Sequence, residues 1–241
     1  MSTASAHLTV SGIGVYVVYK DIKNLHIGVY PPNGRVRVAA PERLDDDTVR
    51  LAIVQRLPWI RRQTERLRHA ERQSAREMVT GESHYLWGRR LRLHVVETEG
   101  RPSLEVRGSR LHLSVPVEFS AADRQRILDN WYRKQLKTAV PALIKKWEPI
   151  IGVSVGGCTI RRMKTKWGSC SPASGRISLN LELAKKHSAC LEYLVVHEMT
   201  HLHERCHNER FTELLSSYLA NWQALRDQLN QAPLAHEEWS A

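Results

Sequence analysis

Long apolar runs and paired cysteines are both missing from this sequence. No run approaches the roughly 20 residues that a membrane-spanning helix needs. The N-terminus lacks the basic and apolar blocks of a secretory signal, so we expect a cytoplasmic protein. The four cysteines form no C-x-x-C pair, which argues against a zinc ribbon and favours free thiols. We find neither an internal repeat nor a low-complexity linker.

The composition is that of a folded chain. Hydrophobic residues make up 42% of the 241 residues, charged residues 25%, and the mean hydropathy is −0.41. This length and composition predict a soluble globular protein with one large domain or two small ones.

Positive charge is in excess, with a formal net charge of +11 and a pI of about 9.8. Such a balance favours nucleic acid or other polyanions as partners. A well-solvated basic surface is the alternative, and both stay open. The basic residues concentrate in a predicted helix of about residues 46–76 and in residues 161–166. No RNA- or DNA-binding motif accompanies them.

The first half of the chain is rich in predicted strands. Alternating apolar and polar residues predict strands within residues 7–20 and 24–41. A helix follows from about residue 46, because apolar residues recur there at helical spacing. A second β stretch begins near residue 85 and ends near residue 116.

The second half is predicted to be mainly helical. The pattern indicates a helix from Ala121 to about Trp147. Two strands, Thr159–Trp167 and Arg176–Leu181, come next. Two further helices are expected, from about Ser188 to Arg205 and from about Glu209 to Leu229.

The segment VVHEMTHLHERCHNERF, residues 195–211, holds four of the twelve histidines within eleven positions. His197 and His201 are four residues apart, so on a helix both lie on one face and can share a metal ion. Glu198 follows the first histidine and would project toward the metal-bound water. This H-E-x-x-H pattern supplies two zinc ligands and a general base for hydrolysis.

A catalytic zinc site needs a third protein ligand and one open position. His207, six residues past His201, is the first candidate if the helix ends near Arg205 or Cys206. Glu204, one turn after His201, and Cys206 remain alternatives. His203 should face away, since it is about 200° around a helix from His201.

The metzincin spacing H-E-x-x-H-x-x-G-x-x-H is not fulfilled here. Glu204 occupies the position of its glycine, and no methionine follows residue 199, so no Met-turn is possible. The residues instead resemble the YgjP-like metal-dependent hydrolases, which are related to the SprT and WLM zincin-like proteins.

Three blocks carry this resemblance. RRMKTKWGSCSPASGRISLNLEL, residues 161–183, is similar to the family's K-x-x-W-G-S-C … G-x-I-x-L-N signature. LEYLVVHEMTHLHERCHNERF, residues 191–211, is similar to its V-V-H-E-L-x-H-L-x-x-x-x-H-x-x-x-F, with Met199 where leucine is usual. A weaker block covers PERLDDDTVRLAIVQRLPWIRRQ and VTGESHYLWGRRLRL.

The resemblance implies an α+β fold. Its zincin-like C-terminal half would contain a small sheet, an HExxH active-site helix and a backing helix, and the N-terminal half would be β-rich. The corresponding regions are residues 1–118 and 119–232, or a single YgjP-like domain of about residues 25–230. It further implies one zinc ion bound by His197, His201 and His207, with Glu198 as the catalytic residue.

The W-G-S-C block would form strands beside the metal cleft, and such an edge strand can pair with an extended peptide. Trp167 would line the cleft or belong to the core. Gly168 would permit close backbone approach or a positive φ, and Ser169 would contact substrate or cap a turn. Cys170 is expected as a small buried apolar residue, and Asn180 would orient a ligand or position backbone.

Basic residues near the site offer a contact for an anionic substrate, although strand alternation lets only some of them face the cleft. They are Arg161, Arg162, Lys164 and Lys166.

A zinc metallopeptidase, using a Glu-activated zinc-bound water to cleave a peptide or protein, is the leading prediction. A nucleotide pyrophosphatase acting on UTP is an alternative, because some YgjP-like proteins are described so. Yet the chain has neither a carboxylate cluster for Mg²⁺ nor a Gly-rich phosphate loop. A DNA-associated binding module, with a structural zinc closed by Cys206 or Glu204, is a further alternative.

Overall fold

The computed structural model describes residues 5–30, 34–69, 77–163 and 166–231. They form two compact units, residues 5–69 and 77–231, with a mixed α+β composition. Within these residues, the helices are too short or too polar to cross a bilayer.

The first unit is a four-stranded sheet with one helix. Its strands lie in the order β1-β2-β4-β3, with a parallel central pair, β2 and β4, and antiparallel outer pairs. Inward-facing valines such as Val17 and Val38 pack against Ile53 of the helix. The elements are β1 Ser5–Val10, β2 Ile13–Lys20, β3 His26–Tyr30, β4 Arg35–Pro41 and α1 Asp46–His69.

The second unit begins with the same arrangement. Its strands lie in the order β5-β6-β8-β7, again with a parallel central pair flanked by antiparallel strands, and a long helix follows. The elements are β5 Ser83–Leu86, β6 Arg89–Glu97, β7 Ser103–Arg107, β8 Arg110–Val115 and α2 Ala121–Ile151.

The expectation of no internal repeat is therefore wrong at the level of topology. The two ββββα segments share strand order and direction. In sequence, the two segments have in common only that every second residue of a strand is buried. Examples are Val15 and Val17 in β2, and Leu91 and Leu93 in β6. Because many apolar side chains satisfy that alternation, the repeat does not appear as sequence identity.

The rest of the second unit carries the histidine segment. A three-stranded sheet has the order β10-β11-β9, in which β9 runs parallel to β11 and β10 is an antiparallel edge strand. Its elements are β9 Gly157–Arg161, β10 Gly168–Ser171, β11 Arg176–Asn180, a 3-10 helix Leu181–Lys185, α3 Ser188–Thr200, α4 Glu209–Tyr218 and α5 Trp222–Gln231.

One hydrophobic core joins the whole second unit, from Met78 and Leu93 through Leu136 to Val195 and Leu229. The predicted domain boundary, between residues 118 and 119, separates residues that share this core. At that position the chain changes from strands to a helix. The two compact units are instead divided between residues 69 and 77.

Three predicted elements differ from the structure. The strand predicted over residues 159–167 ends early: β9 ends at Arg161, and the separate strand β10 begins at Gly168 on the opposite side of β11. The helix expected to reach Arg205 ends at Thr200. The last helix is broken at Leu219, whose extended backbone lets Trp222 turn into the core.

Candidate metal centre

Helix α3 positions His197 and Glu198 and ends just before His201. Its buried apolar residues, among them Val195 and Val196, hold it in the core. His201 is the C-cap but keeps helical angles, φ −64° and ψ −13°, so it stays one turn beyond His197. The centroids of the two imidazole rings are 5.0 Å apart.

A tight turn after α3 brings His207 back toward the helix. The amide of Leu202 donates to the carbonyl of Met199 at 3.0 Å, which tightens the chain past the helix end. Asn208 then caps α4, its side chain accepting from the amide of Phe211 at 3.0 Å. This reversal places the His207 ring 5.0 Å from that of His197 and 4.6 Å from that of His201.

The three imidazoles form a cluster whose geometry suits one metal ion. One nitrogen from each of His197, His201 and His207 lies within 4.8 Å of the others. The Nε2 atoms of His197 and His207 are 3.0 Å apart, and nitrogen ligands of a tetrahedral zinc are about 3.3 Å apart. Among the described residues, no fourth His, Cys or carboxylate joins this group.

Neighbouring groups orient the three rings. His201 donates from Nδ1 to the carbonyl of Glu204 at 3.0 Å, so its Nε2 lone pair is available to a cation. The hydroxyl of Tyr193 lies 3.5 Å from Nδ1 of His197. The Phe211 ring packs against all three imidazoles at centroid distances of 4.6–5.0 Å. Its contact restricts the rotation of each ring.

Burial favours the neutral form of His197 and His207. Desolvation, together with the neighbouring His201 and His207, lowers the pKa of His197 to about 3. Desolvation and His201 also lower the pKa of His207. Metal ligands must be deprotonated, so these shifts favour a metal over protons at neutral pH.

Glu198 lies beside the cluster in a confined setting. Its side chain is buried, and this desolvation raises its pKa to about 8, while the charge of Lys166 acts in the opposite direction. A carboxylate with a pKa near neutrality is well matched to accepting and returning a proton.

The carboxylate of Glu198 contacts the backbone of β10 at Gly168. A Cβ at this glycine would come within 2.4 Å of Oε1 of Glu198, so only glycine allows the contact. Gly168 is not among the residues with positive φ. Of the two roles predicted for it, the structure therefore shows close approach and not an unusual backbone conformation.

We expect Gly168→Ala to lower kcat about 100-fold without loss of bound metal. The added methyl group displaces the flexible end of Glu198 and not the histidines, and a shift of about 1 Å in a catalytic group has this order of effect. Turnover of the predicted peptide substrate and metal content check the result. Gly14→Ala is a matched control, because its Cβ would meet no atom within 4 Å. A loss of metal in Gly168→Ala would contradict the expectation.

A cleft of about 930 Å³ opens over the histidine cluster. Its wall includes the four residues predicted to contact substrate, namely Lys166, Trp167, Gly168 and Ser169. Trp167 is half-buried and also packs on the core, so it meets both of its predicted roles. Cys170 lines the cleft too and is only half-buried, so the expected full burial is wrong. Desolvation, with the charge of Glu198, raises its pKa to about 11.

Asn180 holds the backbone that leads into β10. Its side-chain amide donates to the carbonyls of Met163 and Lys166, both at 2.8 Å, and its oxygen accepts from the amide of Glu182 at 3.2 Å. It therefore positions backbone, as one of its two predicted roles required.

Arg161 and Arg162 are not among the residues that line the cleft. Arg161 donates to the hydroxyl of Ser178 at 2.6 Å, and Arg162 pairs with Asp129 at 2.6 Å. Lys164 lies outside the described residues.

The alternative third ligands, Glu204 and Cys206, do not join the histidine cluster. The carboxylate of Glu204 accepts from the amide of Cys206 at 3.0 Å, and the Cys206 thiol is exposed. His203 Nε2 hydrogen-bonds the carbonyl of Ile151 at 2.8 Å, so it faces away from the cluster as predicted.

Sequence reasoning missed Phe211 and Tyr193 as parts of the site. Tyr193 precedes His197 by four residues on α3, so helical spacing could have identified it. Phe211 is the third residue of α4 after its Asn208 cap, and only the chain reversal places it beneath the rings.

The chain is similar to a known protein family. The family model "YgjP-like, metallopeptidase domain" matches residues 23–232. No curated protein matches the chain.

Two solved structures are similar over parts of the chain. The zymogen of the metallopeptidase abylysin from Pyrococcus abyssi is 20% identical, with 37% of this chain and 90% of that one covered and a TM-score of 0.35. The zymogen of jannalysin from Methanocaldococcus jannaschii is 19% identical, with 38% and 94% covered and a TM-score of 0.34.

Proposed function

This chain belongs to the YgjP-like metallopeptidase family, and from that premise we propose that it is a zinc-dependent metallopeptidase with Glu198 as its general base. The observation that carries the proposal is the convergence of three imidazole nitrogens within 4.8 Å beside a buried carboxylate. We further propose a zincin-like arrangement for residues 119–232, with α3 as active-site helix and α4 and α5 behind it.

One Zn²⁺ would be held by His197, His201 and His207. When bound, it supplies a Lewis acid that polarises the scissile carbonyl and lowers the pKa of water to roughly 7. Three neutral imidazoles are the donor set of catalytic rather than closed structural zinc sites. The absence of a fourth donor among the described residues weighs against the structural-zinc alternative.

Glu198 would transfer the protons of the reaction. Its carboxylate accepts a proton from the attacking water and then returns it to the leaving amine. Gly168 keeps the carboxylate in place, since the backbone of β10 lies against it. The phenyl ring of Phe211 is buried and packs against the imidazole of His197.

The substrate would bind in the cleft as an extended peptide. Strand β10 is an edge strand that pairs only with β11 among the described strands. Its other side can accept a peptide strand by main-chain hydrogen bonds, which gives affinity with little dependence on sequence. Trp167 and Ser169 lie along the same wall.

Measurements of metal content and of the substrates cleaved, made on one preparation, test the proposed function. We expect the purified chain to retain one zinc per molecule after dialysis and to cleave members of a peptide library. A chelator should remove both the zinc and the activity, and added Zn²⁺ should restore them. The same sample assayed with a nucleotide panel, including UTP, tests the alternative, for which Lys166, Arg205 and Arg226 at the cleft offer cationic contacts. Nucleotide hydrolysis without peptide cleavage would contradict the proposal.

A further inference from the structure

The outer face of the sheet β5-β6-β8-β7 is rich in arginine. Because side chains alternate along a strand, Leu91, Leu93 and Leu111 enter the core and their neighbours point outward. We call this outer surface the arginine face. Its basic residues and imidazoles are Arg90, Arg92, His94, Arg107, Arg110 and His112, and the carboxylate of Glu105 lies among them, directly opposite His112.

Three of these arginines lie side by side on three adjacent strands. Arg92 of β6 is directly opposite Arg110 of β8, and Arg110 is directly opposite Arg107 of β7. Like charges in such positions destabilise a sheet. Glu105 bonds Arg107, but among the described residues no carboxylate pairs with Arg92 or Arg110. The repulsion between Arg92 and Arg110 therefore lowers stability without a carboxylate at either residue to offset it.

The local environment of His112 is consistent with a positive surface. Desolvation is the main cause of its lowered pKa; Arg107, His94 and Arg110 lower it further, and Glu105 acts in the opposite direction. The His112 ring lies 5.1 Å from the ring of His94 in an edge-on arrangement.

A partly exposed aromatic ring lies next to the arginines. Tyr85 of β5 is 37% exposed and is directly opposite Arg90 of β6. The face thus combines cationic groups with planar rings on a sheet surface. None of its residues belongs to the metal-centre cleft.

We propose that the arginine face binds single-stranded nucleic acid. The guanidinium groups of Arg90, Arg92 and Arg110 would contact phosphates, with bidentate geometry available to each. Unpaired bases would stack on Tyr85 and the histidine rings, as bases do on the exposed sheets of other single-strand binders. A polyanion on this face would also offset the repulsion within the arginine row. The chain's net charge of +11 adds a long-range attraction to the same ligand.

Removing three positive charges from the arginine face should weaken the binding of single-stranded nucleic acid more than removing three positive charges from another surface of the chain. We expect the triple variant R90Q/R92Q/R110Q of the full chain to bind a labelled single-stranded 20-mer at least about tenfold more weakly than wild type. Its slope of log K against log salt should fall by about 2, since three phosphate contacts contribute about 0.7 each. Fluorescence anisotropy between about 50 and 200 mM salt measures both.

The matched control is R50Q/R56Q/R61Q, which removes three exposed arginines from α1 in the other unit. Its affinity should stay within about twofold of wild type. Equal losses in both variants would show that only overall charge matters, and would overturn the proposal. So would binding of a duplex as tight as that of the single strand, or binding of anionic vesicles without binding of the oligonucleotide.

Stability gives a second readout. Arg110→Gln removes the central charge of the row, so we expect its Tm to rise above that of wild type while its affinity for the single strand falls. Peptide turnover should remain unchanged. A fall in Tm would show that Arg110 serves the fold, and would count against the face as a binding site.

Discussion

Glu198→Gln is expected to lower kcat for peptide cleavage about 1,000-fold while the chain keeps its zinc, because general acid–base catalysis contributes effects of this order. The amide has nearly the same shape as the carboxylate, so it fits the buried space against Gly168. It cannot accept a proton from water. Metal content and turnover, measured on one preparation, separate the loss of the base from the loss of the metal.

Glu192→Gln is the matched control for this variant. Glu192 lies on the same helix but accepts from Lys146 at 2.6 Å and from the indole of Trp147 at 2.9 Å. Its substitution should lower Tm through these two bonds and leave kcat within about twofold. Turnover of Glu198→Gln within tenfold of wild type would remove Glu198 from the mechanism.

His207→Ala should weaken zinc binding by more than about 100-fold and abolish turnover, since it removes one of the three proposed ligands. His207 lies in the exposed turn after α3, so its loss should cost little stability in the absence of metal. Competition with a chelator of known affinity measures the zinc dissociation constant, and thermal unfolding with and without Zn²⁺ measures the linked stability.

His203→Ala is the matched control for His207→Ala, because it removes a histidine that lies near the cluster in sequence but does not belong to it. His203→Ala should keep one zinc at wild-type affinity, because His203 bonds the carbonyl of Ile151 on the opposite side. Its Tm should fall, since that carbonyl loses its partner. Wild-type zinc affinity in His207→Ala would refute the proposed ligand set and would favour Glu204 or Cys206 as the third ligand.

Some parts of the fold were accessible from the sequence. Alternation predicted the strands of both four-stranded sheets, and apolar spacing predicted α1 and α2. Strand order was not accessible, because the parallel pairs β2–β4 and β6–β8 join segments that are not consecutive. The break at Leu219 was equally hidden. No proline or glycine marks it, and the burial of Trp222 against the core decides it.

The sequence by itself determined the relation between His197, Glu198 and His201, because helical geometry is local and repeats every 3.6 residues. It also determined that a third histidine was near enough along the chain to join them. Only the tertiary structure decided that His207 returns to the cluster, that Phe211 packs on all three rings, and that Gly168 lies against Glu198. These contacts link separate elements, so they depend on how helices and sheets pack to bury their apolar surfaces together. No local pattern encodes that outcome.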